Sequence, residues 1–495
     1  MEGEGHRPAV AARAGALAGV AGVVYLTVAA APGCRFEPSR YPHHILTADA
    51  FLHGQTWLRG EVLDEFFARI HSRDRRIIEL QFPGRPAEEV ERRVLRAMAH
   101  DFAIHDGRFY TYWGPLTPAV MVPFVAVFGP AVSDRWITAL FGAANAGLMY
   151  WLLRRVDRSG LLRITEPACL GLTLLLSFGT VHFYLSCGGQ VWHSVQIVTL
   201  TALLGAMIAA VSRRDSPGTW AAAGGLFGAA VLGRGIVLLL GPFFAILLWI
   251  RQRGLQRPVR RCATRGLAFV GPLMAAGCLQ LAYNYARFGN AFETGEGVTV
   301  RTGGEARFIR DYEEYGSFDL HFLPRNLWYY FANWRARPGT GFDPHGNSMF
   351  LITPPLVYVL LAWRRRETRR LALALGAGVA PLLAALLLYR ATGYFQFGNR
   401  YLLDAMPMLL LLVAIGTGGR IGFVGGALMA AAAAVHTWGT LRFYRERTGL
   451  LAELPLWVWL VAAAMATFAL WAWRSWGVSD RGGGSPGPCD PRPRT

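Results

Sequence analysis

The sequence predicts an all-α protein that crosses a membrane about twelve times. Three observations carry that prediction. Apolar runs recur along nearly the whole 495-residue chain, which is 53% hydrophobic and holds 16 tryptophans, so lipid is its main solvent. Arginine-rich stretches separate these runs in pairs: Arg154-Arg155 to Arg163, Arg213-Arg214, Arg251 to Arg265, Arg364 to Arg370, and Arg474 to the end. Finally, residues 219–250 are almost wholly apolar or small except for Arg234, which stands between Gly233 and Gly235. As one helix that run would extend roughly 48 Å, against a hydrocarbon core of about 30 Å. It must break, and the natural break is at the arginine.

All 50 basic residues are arginine, and the net charge is +18. Without lysine the chain cannot build a Walker A site or a Schiff base. Short clusters between apolar runs read as topology signals, so nucleic acid is not an expected partner. Six cysteines (Cys34, Cys169, Cys187, Cys262, Cys278 and Cys489) show neither metal nor redox spacing.

In chain order, the apolar stretch from Ala14 to Pro32 is long enough to span, and Ala31-Pro32-Gly33-Cys34 is a poor cleavage site, so it reads as a retained anchor. A first outer loop follows, about 33–133. In it Val62, Phe66 and Ile70 mark one amphipathic helix and Val90, Val94 and Met98 another, both expected at the membrane interface. Residues 115–128 carry three prolines and are too short to cross. Residues 134–153 then return, and five pairs of spans follow: 166–185 with 191–211, 218–232 with 235–250, 266–286 with 349–363, 371–389 with 401–416, and 420–440 with 455–473. The last pair places Arg442, Arg445 and Arg447 outside, against the charge rule. A second long outer loop covers about 287–348. Residues 1–476 form one integral membrane domain, and 477–495, rich in Gly, Pro and Arg, a disordered cytoplasmic tail.

Short arginine-rich loops belong in the cytoplasm. Arg234, Arg390 and Arg400 then lie at the outer face with Asp49, Asp106 and Asp404. Ionisable groups at membrane depth are costly and are functional candidates by default. A carboxylate beside several arginines suits transfer from a lipid phosphate to a hydroxyl: one carboxylate takes the acceptor's proton and guanidinium forks hold the phosphate. Each residue also has a plainer reading. Asp49 could cap a helix, Asp106 could form an Asp-Gly turn, and Arg234 could anchor a hairpin by reaching the headgroups. Arg400 and Asp404, four residues apart, could pair with each other. His43-His44 lacks a partner at metal-ligand spacing, and His193, after Trp192, could be an interface residue. Gly224 and Gly228 make a helix-packing GxxxG.

Two segments carry a family resemblance: Ala48-Asp49-Ala50-Phe51-Leu52-His53-Gly54, and Asp106-Gly107-Arg108-Phe109-Tyr110-Thr111-Tyr112-Trp113-Gly114-Pro115. They resemble the first outer loop of bacterial GT-C glycosyltransferases, which are related to the dolichyl-phosphate-mannose protein mannosyltransferases. Tyr283 to Asn290, Tyr315-Gly316-Ser317-Phe318, Leu323-Pro324-Arg325-Asn326 and Gly398 to Asp404 are similar to later parts of that group. The resemblance implies a GT-C-like fold, a polyprenyl-phosphate sugar donor, an acidic base in the first outer loop and no required cofactor. It puts catalysis at Asp49 or Asp106, while the charges gathered at the outer face put donor phosphate at Arg234, Arg400 and Arg390, with Asp404 and His193 in support. A divalent metal has no ligand set of its own. The adjacent acidic pair frequent after the first span of such enzymes is absent. The expected location is the plasma membrane, with the site outside and membrane lipids and the lipid-linked donor as partners. The competing reading is a transporter or lipid flippase, which would place paired charges at the bilayer midplane.

Overall fold

Backbone groups in lipid must be satisfied within a segment, which leaves helix as the way for single runs to cross. The computed structural model of the chain obeys this. It describes residues 6–30, 37–81, 83–254, 258–300, 306–448, 451, 453–465 and 467. The tail at 477–495 lies outside the described residues.

The elements run α1 (His6–Ala29), α2 (His43–Leu52), α3 (Gly60–Gln81), α4 (Ala87–Met98), β1 (Phe102–His105), β2 (Arg108–Thr111), α5 (Leu116–Phe128), α6 (Asp134–Arg158), α7 (Glu166–Phe178), α8 (His182–Ser186), α9 (Val191–Ala210) and α10 (Pro217–Gly233). They continue with α11 (Gly241–Gly254), α12 (Val259–Phe288), α13 (Ala306–Tyr315), α14 (Leu323–Leu327), α15 (Met349–Ile352), α16 (Arg369–Leu388), α17 (Met406–Gly416) and α18 (Phe423–Phe443). Among the described residues, seven helical segments are long and apolar enough to cross a membrane: Pro8–Ala29, Asp134–Arg158, Val191–Ala210, Gly235–Gln252, Val259–Phe288, Arg369–Leu388 and Phe423–Phe443. The chain is a multi-pass all-α membrane protein. Of the other expected spans, 166–185, 218–232, 349–363 and 401–416 form shorter or broken helices, and 455–473 lies partly outside the described residues. The run at 349–361, for example, turns from α15 into a 3₁₀ segment, Pro354–Leu361.

The break at Arg234 is real. α10 ends at Gly233, Arg234 is extended, and a 3₁₀ turn over Gly235–Leu240 leads into α11. The chain reverses there: at the far end of α11, Arg251 donates to the carbonyls of Ala210 and Ser212, and Gln252 donates to Asp215 at 3.1 Å, beside the start of α10. α10 lies close along α12 through the GxxxG, since a Cβ at Gly224 would sit 2.0 Å from the Phe269 carbonyl oxygen.

Four of the arginine clusters meet at one end of the bundle. Arg213 Nε donates to the Arg158 carbonyl at 2.6 Å, Arg265 Nε pairs with Asp215 at 3.0 Å, and the Thr165 amide bonds the Gly419 carbonyl at 2.9 Å beside Arg163. The Arg365 guanidinium lies against Gly418. Arg442 and Arg445 instead donate to the carbonyls of Thr340 and Gly339, both at 3.1 Å. Those two arginines tie the end of α18 and the residues after it to the second long loop.

At the other end the two long loops form a cap. The apolar stripes of α3 and α4 face each other, with Leu63, Phe66, Ile70, Val90, Val94 and Met98 buried around Phe102 and Leu58. The expected interfacial helices therefore spend their apolar faces on each other and not on lipid, because two stripes within one loop bury more surface together. β1 pairs with β2 and, on its other edge, with 298–300: the amides of Asp101 and Ile104 donate to the carbonyls of Val300 and Val298 at 2.9 and 3.1 Å. Arg287, buried at the end of α12, donates to the Thr111 carbonyl and lies 4.0 Å from the Tyr283 ring, pinning β2 to α12. α5, with Pro123 inside and 13 residues long, packs on α2 through Met121 and Val125 against Ile45 and Ala48.

Candidate functional site

Where α10 breaks, Arg234 turns towards the segment before α17. Its Nε meets Asp404 Oδ2 at 3.0 Å, and the carboxylate is fully buried. Asp404 does not pair with Arg400. Residues Arg400–Ala405 form a 3₁₀ turn, and at three residues per turn positions i and i+4 no longer share a face. The two arginines instead flank one ring: the guanidinium carbons of Arg234 and Arg400 lie 5.5 and 5.3 Å from the centroid of Tyr401. Tyr389 packs on Tyr401 at 6.3 Å, and Arg390 lies 5.7 Å from the Tyr389 ring and 3.4 Å from Glu296. The three arginines singled out in the sequence thus gather around one tyrosine pair.

Each is held from behind. Gln196 on α9 donates to the Arg400 carbonyl at 2.8 Å, and the Arg400 amide donates to Gln396 at 3.3 Å. Asn326 donates to the carbonyls of Leu386, Leu387 and Tyr389, closing the C-terminus of α16, while Arg325 pairs with Asp311 and donates to the Arg390 carbonyl. The Leu323-Pro324-Arg325-Asn326 motif is thereby a clamp on the turn that carries Arg390. Tyr330, on a π-helical turn over Trp328–Ala332, is fully buried. Arg400 Nε, Arg390 Nε, Asp404 Oδ1 and the Tyr330 hydroxyl are buried without a hydrogen-bond partner among the described residues. No described carboxylate lies within ion-pair distance of the buried Arg400. A buried cation left without an anion is costly, so this arrangement suits an anionic ligand.

A carboxylate that the sequence reading passed over lies close by. Asp101 accepts Trp192 Nε1–H at 2.9 Å, and the Arg400 guanidinium carbon lies 5.7 Å from the same indole ring. Asp101 has φ 63°, a left-handed conformation that Asp tolerates better than most residues. The chain needs it there to leave α4 and enter β1. Tyr112, stacked on Trp113 at 4.0 Å, bridges towards the tyrosines. Burial pushes its hydroxyl pKa well above the ordinary value, and Asp101, Tyr389, Tyr401 and Glu296 all push it further up.

The other expected residues are placed differently. Asp49 is buried on α2, where Arg59 Nη1 approaches its two carboxylate oxygens at 3.3 and 3.4 Å and His53 Nδ1 lies 3.8 Å away. Thr47, two positions back and so on the opposite side of the helix, is the residue that meets Thr111 at 3.1 Å. The structure therefore gives Asp49 to Arg59 and His53 and does not join it to the three arginines. Asp106 sits at the tip of the β1–β2 hairpin with its side chain 87% exposed. Asp106 and Gly107 both have positive φ (47° and 71°), as a two-residue hairpin turn requires. His193 is buried against Tyr184 at 5.6 Å and meets the Tyr444 hydroxyl at 3.4 Å. Its neighbour Trp192 makes the contact with Arg400. His43 stacks on Phe102 at 4.0 Å, and its Nε2 pairs with the His100 carbonyl at 3.0 Å. Burial pushes the pKa values of His43 and His44 down to about 4 and about 3. Among the described residues no three or more His, Cys, Asp and Glu side chains converge as a metal site.

Fold and site together define a multi-pass membrane protein with an arginine–tyrosine site under a two-loop cap, opposite its arginine-rich end. No known protein family and no curated protein sequence matches the chain. Two solved structures are similar to it. One is ArnT from Cupriavidus metallidurans bound to undecaprenyl phosphate, at 13% identity over 92% of this chain and 74% of that one, with a TM-score of 0.43. The other is the oligosaccharyltransferase of Archaeoglobus fulgidus in the apo form, at 12% identity over 88% of this chain and 55% of that one, with a TM-score of 0.46. This chain thus spans about half the length of the archaeal enzyme.

Proposed function

We propose that this protein is a GT-C type glycosyltransferase that moves a hexosyl or pentosyl group from a polyprenyl-phosphate donor to an acceptor hydroxyl. The observation that carries this reading is the convergence of Arg234, Arg390 and Arg400 on the Tyr389–Tyr401 pair, with Arg400 buried and no carboxylate paired with it among the described residues. The acceptor oxygen attacks the anomeric carbon, the bond from that carbon to the phosphate oxygen breaks, and polyprenyl phosphate leaves. One displacement inverts the anomeric centre. The phosphate is a good leaving group that needs no acid; its growing charge falls to the guanidinium forks, which bind in pairs where a lysine would offer a single point charge. Asp404 holds Arg234 in place. The base we propose is Asp101 rather than Asp49, since Asp101 shares Trp192 with Arg400 whereas Asp49 is engaged by Arg59 and His53. The reaction as written uses no metal or other cofactor.

The gathering of the arginine loops at the opposite end supports a site on the outer face of the plasma membrane. The test is to incubate purified protein with labelled polyprenyl-phosphate sugars and follow release of polyprenyl phosphate. Release that depends on Arg400 and Asp101 supports transfer. Movement of the intact labelled lipid across reconstituted vesicles, with no release, would mean a flippase instead.

A further inference from the structure

At the arginine-rich end, far along the chain's bundle from the site above, a cavity of about 340 Å³ opens between the C-terminus of α6 and the loop joining α9 to α10. Asp157, Arg158, Ser159, Gly160, Arg163 and Arg213 line it. Its one acid is already engaged: Asp157 accepts the Ile164 amide at 3.0 Å and faces Arg154 at 3.4 Å. Arg213 is oriented by its Nε bond to the Arg158 carbonyl. That bond leaves its two terminal nitrogens without a partner among the described residues. The C-terminal dipole of α6 opposes an anion, but it amounts to about half a charge against the two guanidinium groups of Arg163 and Arg213. Gly160, at φ 76°, has nothing within 4 Å of where a Cβ would lie, so the cavity stays open on that side.

We infer that this cavity binds a phosphate group, supplied by the headgroup of an anionic phospholipid. It is open to the surface, so a headgroup can reach it. It lies at the ends of the apolar helices α6, α9 and α10, where arginine clusters mark the membrane boundary and basic pockets between helices take anionic headgroups. The inference is independent of the glycosyl-transfer reading.

Native mass spectrometry of the full-length protein in neutral detergent tests it. The probes are dioleoylphosphatidylglycerol, dioleoylphosphatidylcholine and inorganic phosphate, and the variants are Arg163→Gln/Arg213→Gln and, as a charge-matched control at the same end, Arg364→Gln/Arg366→Gln. All four arginines are exposed. Wild type should retain phosphatidylglycerol in preference to phosphatidylcholine. The pocket variant should lose roughly fivefold in affinity per arginine, while the control keeps wild-type binding. If inorganic phosphate alone binds with the same arginine dependence, the phosphate site stands and its source is a soluble phosphate ester. Equal retention by wild type and pocket variant, or equal loss in both variants, overturns the inference.

Discussion

Arg234 and Asp404 are 170 residues apart in sequence and meet at 3.0 Å, joining the break in α10 to the turn before α17. The carboxylate is fully buried, and 15% of the arginine side chain is exposed. Removing one partner strands the other, at a cost of about 3–5 kcal/mol, whereas replacing both with apolar residues costs much less. Arg234→Leu and Asp404→Leu should each lower the unfolding temperature clearly, and the double variant Arg234→Leu/Asp404→Leu should recover much of the loss while lacking transfer. Thermal unfolding in detergent, run as a double-mutant cycle, checks this. Additive losses would mean that the two residues are not coupled.

Arg400 has aromatic neighbours and no carboxylate partner among the described residues, which on the proposed function leaves its charge to the donor phosphate. Arg400→Ala should lower kcat/KM for a polyprenyl-phosphate sugar by about 2–4 kcal/mol, or roughly 30- to 1000-fold. Arg400→Lys should recover only part of this, because an ammonium cannot replace a planar fork. Steady-state kinetics on folded variants decides the matter, and equal turnover in wild type and Arg400→Ala would return this residue to a structural role.

Asp101→Asn keeps the Trp192 hydrogen bond possible through its oxygen and removes the proton acceptor. Transfer should fall about 10²- to 10⁴-fold with donor binding retained. Asp49→Asn should act on stability through Arg59, and Asp106→Asn, at an exposed turn, should change little. Should Asp49→Asn abolish turnover while Asp101→Asn stays active, the base assignment is reversed.

His43 and His44 make stability depend on pH. Their folded pKa values, about 4 and about 3, lie below the ordinary 6.5, so the unfolded chain binds more protons as pH falls. Stability is then full above about pH 6.5 and declines towards pH 4, the two histidines together accounting for several kcal/mol. His44→Phe should flatten that decline. An identical slope in wild type and variant would assign the acid sensitivity elsewhere.

The apolar helices, seven of them among the described residues long enough to cross, and the break at Arg234 were legible because hydropathy and charge act locally: a run too long for the bilayer must interrupt itself where its one charge lies. The three arginines could be singled out by the cost of burying them. Asp101 could not, since its role depends on Trp192, 91 residues away, and on a strand from the second loop zipping beside β1. His100-Asp101 before an alternating Phe-Ala-Ile-His run signals only a helix-to-strand turn. Asp404 was visible as a candidate, but its partner Arg234 was not, because the four-residue spacing to Arg400 matters only in an α-helix and the chain forms a 3₁₀ turn there. The stripes of α3 and α4 were likewise legible as amphipathic, while what they pack against is a matter of tertiary structure.

The most direct test of the central claim is a cryo-EM structure of the protein with undecaprenyl phosphate bound in a nanodisc. The account predicts phosphate density within hydrogen-bond reach of the Arg234 and Arg400 guanidinium groups, beside Tyr401, with the lipid tail leaving between apolar helices. Phosphate density away from these arginines, with the Arg400 guanidinium still enclosed by Trp192 and Tyr401 alone, would contradict it.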